Sequence, residues 1–245
     1  MVATPNPVTA VILAAGRGQR MGDLTRHRPK PLLHVRGKPI LEHILLGLRS
    51  AGVERVLVVV GYLGEQIVTA LGDGRRLSLK IEYAWQPEAR GTADALLVVR
   101  ASINAPFFLS WGDVLVSQDS YRELASAFAA QPAAAWMAVN EVEDPCQGAA
   151  VYLDADRRVQ RIVEKPARGT STTRWNNAGV GIYSPDIFTY AQMAPVSPRG
   201  ERELPQAVDL MIQDGHPVYA LPVLGFWSDV GTPEALAFAD EHYPA

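Results

Sequence analysis

The sequence predicts an α/β fold with a mostly parallel sheet flanked by helices. Three observations carry that prediction. Apolar runs alternate with stretches of helical period through the first half of the chain. The first run, Val8–Ala15, empties into a glycine-rich, cationic loop, Gly16-Arg17-Gly18-Gln19-Arg20. Several polar motifs follow later apolar runs, which puts them beyond the carboxyl ends of strands, where open α/β sheets bind ligands.

Val8–Ala15 reads as a buried strand stopped by Gly16. Pro39–Ala51 carries Ile40, Leu41, Ile44, Leu45 and Leu48 at helical spacing, with Pro at its start and Gly52 past its end. Arg55–Val60 is a β-branched strand, Gly64–Leu71 a short helix and Gly72-Asp73-Gly74 a turn. Leu79–Ala84 is a strand, Thr92–Arg100 a helix, and Ala105–Ser110 a strand with Trp111-Gly112-Asp113 at its end. Tyr121–Ala130 is helical and Ala133–Val139 extended; Gly148–Leu153 and Val159–Val163 pair as a hairpin across Asp154-Ala155-Asp156. Gly179–Tyr183 is a strand, Glu203–Gln213 a helix, Val218–Pro222 extended and Thr232–His242 a closing helix. The second half thus mixes antiparallel pieces into the sheet. Ala167–Trp175, rich in Gly, Ser, Thr and Arg, reads as a mobile loop.

The chain has 245 residues, 48% hydrophobic and 20% charged, which fits one globular domain, residues 1–245, with at most a small subordinate lobe. A net charge of −3 without a basic block implies no nucleic-acid partner. The short polar start, Met1–Pro7, is no leader, and no run of 18 apolar residues suits a membrane. The single cysteine, Cys146, excludes an internal disulfide and fits a reducing cytoplasm. No Cys/His cluster has zinc spacing. A homo-oligomer is compatible with the chain.

The loop after the first strand suits polyphosphate: glycines let backbone N–H groups approach, and Arg20 and Lys30 neutralise charge. It is neither of two common phosphate loops. A dinucleotide fingerprint needs Gly where Met21 stands, and in a P-loop Gly37-Lys38 would not be followed by Pro39. Asp113 and Asp229, far apart in sequence and each at a strand end, form a pair able to share one Mg2+ with phosphate oxygens and water. Singly, each reads as a turn or cap residue, and Asp229 or Thr232 could cap the last helix. Glu164-Lys165-Pro166 follows a strand, giving Lys165 to a phosphate and Glu164 to a hydroxyl-rich ligand; alternatively it is a solvated strand end. The Gln86 amide can read a nucleobase edge, Gly91 lets a flat base approach backbone, and Thr92 suits a helix cap. Of Asn176 and Asn177, the latter is the better sugar ligand because an alternating strand follows.

In order along the chain, the blocks LAAGRGQRM, PKPLLHVRGKPILEH, QPEARGTADAL, WGD, VEKP, NNAGVGIYSPDIF and FWSDVGTPEAL resemble the sugar-1-phosphate nucleotidyltransferases, or nucleotide-sugar pyrophosphorylases. The similarity is to glucose-1-phosphate uridylyl- and thymidylyltransferases. It implies a Rossmann-like mixed sheet with a sugar-binding lobe, a nucleotide-binding part at about residues 8–115 and a sugar-binding part at about 116–245. It implies that Arg20 and the backbone of Ala14, Ala15, Gly16 and Gly18 grip a triphosphate, and that Lys30 meets the reacting phosphates. Gln86, Gly91 and Thr92 fall at the base, Asp113 and Asp229 at Mg2+, Gly148, Glu164 and Asn177 at the sugar, and Lys165 at its phosphate. The partners implied are an NTP, UTP or dTTP by virtue of Gln86, and a sugar 1-phosphate.

A GTP-dependent mannose- or heptose-1-phosphate guanylyltransferase and a non-catalytic nucleotide-sugar-binding subunit are the alternatives. A molybdopterin or choline-phosphate nucleotidyltransferase shares the opening loop but not the EKP and Asn-Ala-Gly blocks. Where relatives often carry Asn before Gly-Asp this chain has Trp111, and after the loop it has Gly22-Asp23-Leu24-Thr25. Trp111, expected near the sugar and ribose, bears on substrate identity. The chain closes soon after the Asp229 helix, so an allosteric C-terminal extension is not expected, and without hexapeptide repeats neither is an appended acyltransferase domain.

Overall fold

The computed structural model describes residues 7–197 and 199–244; residues 1–6, most of the polar start, lie outside them. The strands are β1 (Thr9–Ala14), β2 (His34–Val35), β3 (Lys38–Pro39), β4 (Arg55–Val60), β5 (Lys80–Trp85), β6 (Phe107–Trp111), β7 (Val114–Val116), β8 (Ala135–Glu141), β9 (Ala149–Leu153), β10 (Val159–Glu164), β11 (Trp175–Tyr183), β12 (Val218–Pro222) and β13 (Trp227–Asp229). The helices are α1 (Ile40–Ser50), α2 (Gly64–Leu71), α3 (Thr92–Leu97), α4 (Gln118–Ala130), α5 (Ile187–Met193), α6 (Leu204–Gln213) and α7 (Pro233–His242).

Nine strands form one sheet. Its path runs β10-β9-β11-β6-β1-β4-β5, and β8 pairs β11 and carries β12. Strands β6, β1, β4 and β5 are parallel, and β12 lies parallel to β8. The second half adds the antiparallel pairs, β11 against β6, β8 and β9, and β9 against β10.

The unbroken apolar strands follow from burial on both faces. In β1, Ala10, Ile12 and Ala14 enter one core with α1, α2 and α4, while Val11 and Leu13 enter the other with α3, α5 and α6. In β4, Val56, Val58 and Val60 face the first core, and Leu57 and Val59 the second. Ile40, Leu41, Ile44, Leu45 and Leu48 are all buried, so the helical stripe read in α1 is its core face.

Some details differ from the sequence reading. Helix α3 stops at Leu97, and a separate 3-10 turn covers Arg100–Ser102. Strand β11 begins at Trp175, not Gly179, so it absorbs the end of the proposed mobile loop and both asparagines. Helix α5 and the two-stranded ribbon of β7 with β13 were not read from sequence, nor was the β2–β3 ribbon; each piece has seven residues or fewer.

Candidate active site

At the end of β1 the chain curls rather than extends. Gly18 and Gly22 take left-handed φ values of 62° and 58°. Met21 N–H donates to Gly18 O at 2.9 Å, and Thr25 Oγ1 donates to the same oxygen at 3.0 Å. Buried Met21 and Thr25 anchor the curl, which leaves Gly16, Arg17, Gln19 and Arg20 facing a cleft. A side chain at Gly61, just past β4, would stand 2.9 Å from Ala15 O, so that glycine lets the loop pass.

The aspartates meet through the small ribbon. Asp113 lies between β6 and β7, and antiparallel pairing of β7 with β13 brings Asp229 opposite Val114. Val230 N–H donates to Asp113 O at 3.0 Å and fixes the junction. Lys30, whose side chain is 6% exposed, reaches both carboxylates: Nζ is 2.8 Å from Asp113 Oδ2 and 3.6 Å from Asp229 Oδ1. Arg20 Nη2 is 3.6 Å from Asp229 Oδ2. Burial, then the like charge of Asp113, push the Asp229 carboxyl above the usual range, while Lys30 and Arg20 pull it back. Because one nitrogen touches both side chains, one small cation can too; the oxygen donor set suits a hard divalent ion. Among the described residues no group of three or more His, Cys, Asp or Glu gathers to hold a metal. The cap of α7 is Thr232, whose Oγ1 accepts from Ala235 N–H at 3.2 Å, which leaves Asp229 free of that duty.

At the end of β5, buried Gln86 donates from Nε2 to Gly91 O at 3.3 Å. Gly91 has φ 103° and ψ 174°, and a Cβ there would lie 2.2 Å from Arg202 O. Its missing side chain therefore serves a chain crossing: Arg202 N–H donates to Arg90 O at 2.8 Å, and Ala93 N–H to Arg202 O at 3.0 Å. Thr92 does not cap its own helix. Its Oγ1 accepts from Leu204 N–H at 2.8 Å at the start of α6, and lies 3.3 Å from Glu203 Oε2 as donor.

The β9–β10 hairpin carries the remaining motif. Lys165 N–H donates to Gly148 O at 2.7 Å, and Lys165 takes φ 42°, a left-handed value rare outside glycine. Glu164 Oε1 lies 3.4 Å from Lys165 Nζ and 3.9 Å from Arg199 Nη2. Burial and then the charge of Glu203 push the Glu164 carboxyl up to about 7, against the pull of Lys165 and Arg199. Asn176 is committed to structure: its Oδ1 accepts from Ala149 N–H, its Nδ2 donates to Asn140 Oδ1 and Asn177 O, and it fills the space beside Gly148. Asn177 uses Oδ1 for Gly179 N–H at 3.0 Å, at the point where β11 slips register against β8.

A cavity of about 420 Å³ gathers Gln86, Gly91, Thr92, Asp113, Gly148, Glu164, Lys165, Asn177 and Asp229. It joins a cleft of about 1010 Å³ lined by Gly16, Gly18, Arg20 and Lys30; Ala15, Gly16, Arg20, Gln86, Asp113 and Lys165 line both. Ala14 alone of the predicted set lines neither. It is buried, with its Cβ 3.0 Å from where a side chain on Gly112 would sit. Sequence reasoning missed Trp227, Arg199, Glu201 and Glu203. Trp227 donates from Nε1 to Ala178 O at 3.1 Å, beside the Asn177 turn. Arg199 bonds Glu203, and the Arg199-Gly-Glu-Arg-Glu203 run was the available signal, though it reads as a solvated strap.

A parallel sheet whose strand ends carry a glycine–cation loop, an aspartate pair and a second cationic motif defines a phosphate-handling α/β protein. The family model described as nucleotidyl transferase matches residues 9–245, and the chain belongs to that family. It is 35% identical to the UTP–glucose-1-phosphate uridylyltransferase AglF of Haloferax volcanii over 92% of both chains. It is 34% identical to a glucose-1-phosphate thymidylyltransferase of Streptomyces griseus, over 91% of this chain and 62% of that one. The bifunctional protein GlmU of Methanococcus maripaludis is 31% identical over 96% of this chain, which spans only 54% of that protein. Among solved structures, a Bacillus anthracis protein described as a glucose-1-phosphate thymidylyltransferase, with sucrose, superposes at TM-score 0.86, with 25% identity over 95% of this chain and 94% of that one. A UDP-glucose pyrophosphorylase with UDP-glucose shares the fold at TM-score 0.84, with 22% identity over 97% and 98% of the two chains. Among the described residues no helix is long and apolar enough to cross a membrane.

Proposed function

We propose that this protein transfers a nucleotidyl group from UTP or dTTP to a sugar 1-phosphate, releasing pyrophosphate and forming a nucleotide sugar. The observation that carries the reading is the convergence of the Arg20 loop, Lys30, the aspartate pair and Lys165 on two cavities that open into each other. Relatives named for uridylyl and thymidylyl transfer to glucose 1-phosphate support the base and make glucose the first sugar to test. NTP as substrate makes the cytoplasm the natural setting.

In this reading residues of about 8–115 hold the nucleotide, and residues of about 116–245 hold the sugar and return Asp229 to the metal. Backbone N–H groups of the Ala15–Gly18 loop and the guanidinium of Arg20 grip the triphosphate. Gln86, with Gly91 and Thr92 behind it, reads the base edge. Glu164, Asn177 and the backbone at Gly148 accept and donate to sugar hydroxyls. Asp113 and Asp229 would hold Mg2+, which when bound would offset the phosphate charge.

An oxygen of the sugar phosphate attacks the α-phosphorus in line; the new P–O bond forms as the bond to pyrophosphate breaks. The nucleophile is already an anion, so no general base is required. The barrier is the approach of two polyanions. Lys165, with Arg199 beside it, holds the sugar phosphate, and Lys30 meets the charge that grows at the reacting phosphates. The cavity fixes alignment, which converts a collision of like charges into an intramolecular event.

The test is pyrophosphate release from purified protein with Mg2+, crossing UTP, dTTP, GTP, CTP and ATP with a panel of sugar 1-phosphates. Release with a uridine or thymidine triphosphate and one sugar supports the reading; release with GTP and mannose or heptose 1-phosphate replaces it. Folded protein that binds NTP and yields no pyrophosphate in any pair points to a binding subunit.

A further inference from the structure

The aspartate pair already has two cations on it. Lys30 Nζ lies 2.8 Å from Asp113 Oδ2 and 3.6 Å from Asp229 Oδ1, and Arg20 Nη2 lies 3.6 Å from Asp229 Oδ2. Three of the four carboxylate oxygens thus face a positive group, and the local charge sums to zero. The arrangement is built. Lys30 follows Pro29 and precedes Pro31, and Leu33 N–H donates to Lys30 O at 3.0 Å. Its stem lies beneath Gly18, where a Cβ would sit 3.1 Å from Lys30 Cβ. The ammonium is therefore carried to the carboxylates from a fixed backbone.

An ammonium hydrogen and a metal ion compete for the same lone pairs. A divalent ion arriving alone would have to displace Lys30 and would raise the local charge from zero to +2. A triphosphate changes this balance: its anionic oxygens can take over both Arg20 and Lys30, which line the same cleft as Gly16 and Gly18. Only side-chain rotation is needed, because the backbone at Lys30 stays in place.

We propose that Lys30 and Arg20 are internal counter-ions of the Asp113–Asp229 pair, and that metal and triphosphate therefore enter together. Both cations pass from carboxylate to phosphate as they do. The inference rests on the metal and triphosphate roles given under Proposed function. It makes Lys30 the residue that keeps the metal out until the nucleotide arrives.

Mn2+ serves as the probe, with free ion counted by electron paramagnetic resonance and no nucleotide present. Removing one charge-assisted contact in Lys30→Gln raises Mn2+ affinity about tenfold to a hundredfold over the parent protein. Lys30→Arg keeps the positive charge and keeps Mn2+ weak, whereas a merely loosened site would make the two variants alike. Arg20 is 60% exposed, so Arg20→Gln folds even where a Lys30 variant does not, and it tightens Mn2+ by a few-fold. Adding Asp113→Asn to Lys30→Gln removes the gain and assigns it to the pair. Unchanged Mn2+ affinity in both neutral variants, or equal tightening in Lys30→Gln and Lys30→Arg, overturns the proposal. These readouts need no turnover, so a silent pyrophosphate assay would remove the transferase reading and leave the counter-ion result standing.

Discussion

Gly91→Ala tests whether the strap before α6 is seated on the Gln86–Thr92 loop. The glycine sits at φ 103°, ψ 174°, a region essentially closed to other residues, at a cost of about 1–3 kcal/mol. The added methyl would also meet backbone: 2.2 Å from Arg202 O, 2.7 Å from its N and 2.8 Å from its C. Relief requires breaking the Arg90–Arg202 or the Ala93–Arg202 hydrogen bond, at about 1 kcal/mol each. The total is about 2–4 kcal/mol, which for a chain of this size lowers the melting temperature by about 4–16 °C. Detachment of the strap is the alternative relief. It would move Arg199, Glu201 and Glu203 and raise KM for the sugar phosphate. The control is Gly169→Ala, which shares a positive φ of 73° but has nothing within 4 Å of a new Cβ. Melting curves and pyrophosphate-release kinetics are read on both. If Gly91→Ala melts with Gly169→Ala and keeps its KM, the strap does not depend on that glycine.

Arg20→Ala and Lys165→Ala each lower turnover about 10²–10³-fold with melting unchanged, since each removes one well-placed charge at the reacting phosphates. The aspartate is better tested as Asp113→Asn than as Asp113→Ala, which would strip buried Lys30 of its 2.8 Å partner; near-normal turnover in a folded Asp113→Asn would sink the metal assignment. Glu164 gives a pH signature. Its folded pKa of about 7 lies above the ordinary 4.5, so between those values the folded chain holds a proton that the unfolded chain has released. Stability is then fullest below pH 4.5 and falls as pH rises through 7, by up to about 3 kcal/mol. In Glu164→Gln that decline is missing, and parallel pH–stability curves for the two proteins would refute the assignment. Thr92→Val removes the acceptor for Leu204 N–H and costs about 1–2 kcal/mol in chemical denaturation, if Thr92 serves α6 as its geometry indicates.

The strands were legible where burial on both faces left an unbroken β-branched run, as in Arg55–Val60, which is β4 to the residue. Asp113 was legible because it follows a buried apolar strand and a glycine, whereas the ribbon that carries Asp229 to it was not. Three kinds of feature were not. Short pieces such as β7 and β13, three residues each, carry no period and exist only because they pair with each other. Asn176 and Asn177 were read as lying just before a strand that starts at Gly179, because polar amides rarely sit inside a buried strand. Here both are buried inside β11, and the Asn176 amide is satisfied by Asn140, Ala149 and Asn177 from three strands. The roles of Gly91 and Thr92 depend on Arg202 and Leu204, more than a hundred positions away, and no local pattern encodes that crossing.

The Glu164–Lys165 pair shows how a local backbone choice makes the chemistry available. In a regular strand, neighbours point to opposite faces, so one of the two would turn away from the cavity. Both line it. The alternation is broken at Lys165, where φ of 42° turns the chain in the left-handed sense as β10 ends. The Lys165 N–H is meanwhile held by Gly148 O at 2.7 Å, across the hairpin. A non-glycine residue in that region costs of order 1 kcal/mol, and a carboxylate buried next to Glu203 costs more. The apolar core that takes Ala149, Val151, Val159 and Ile162 of the hairpin holds it in place and offsets that cost. The return is a cation and a carboxyl within 3.4 Å of each other, facing one cavity. A sugar 1-phosphate carries its anion and its hydroxyls at about that spacing on one rigid ring. Under the proposed reading, these consecutive residues would supply charge for the phosphate and a hydrogen-bonding carboxyl for the ring.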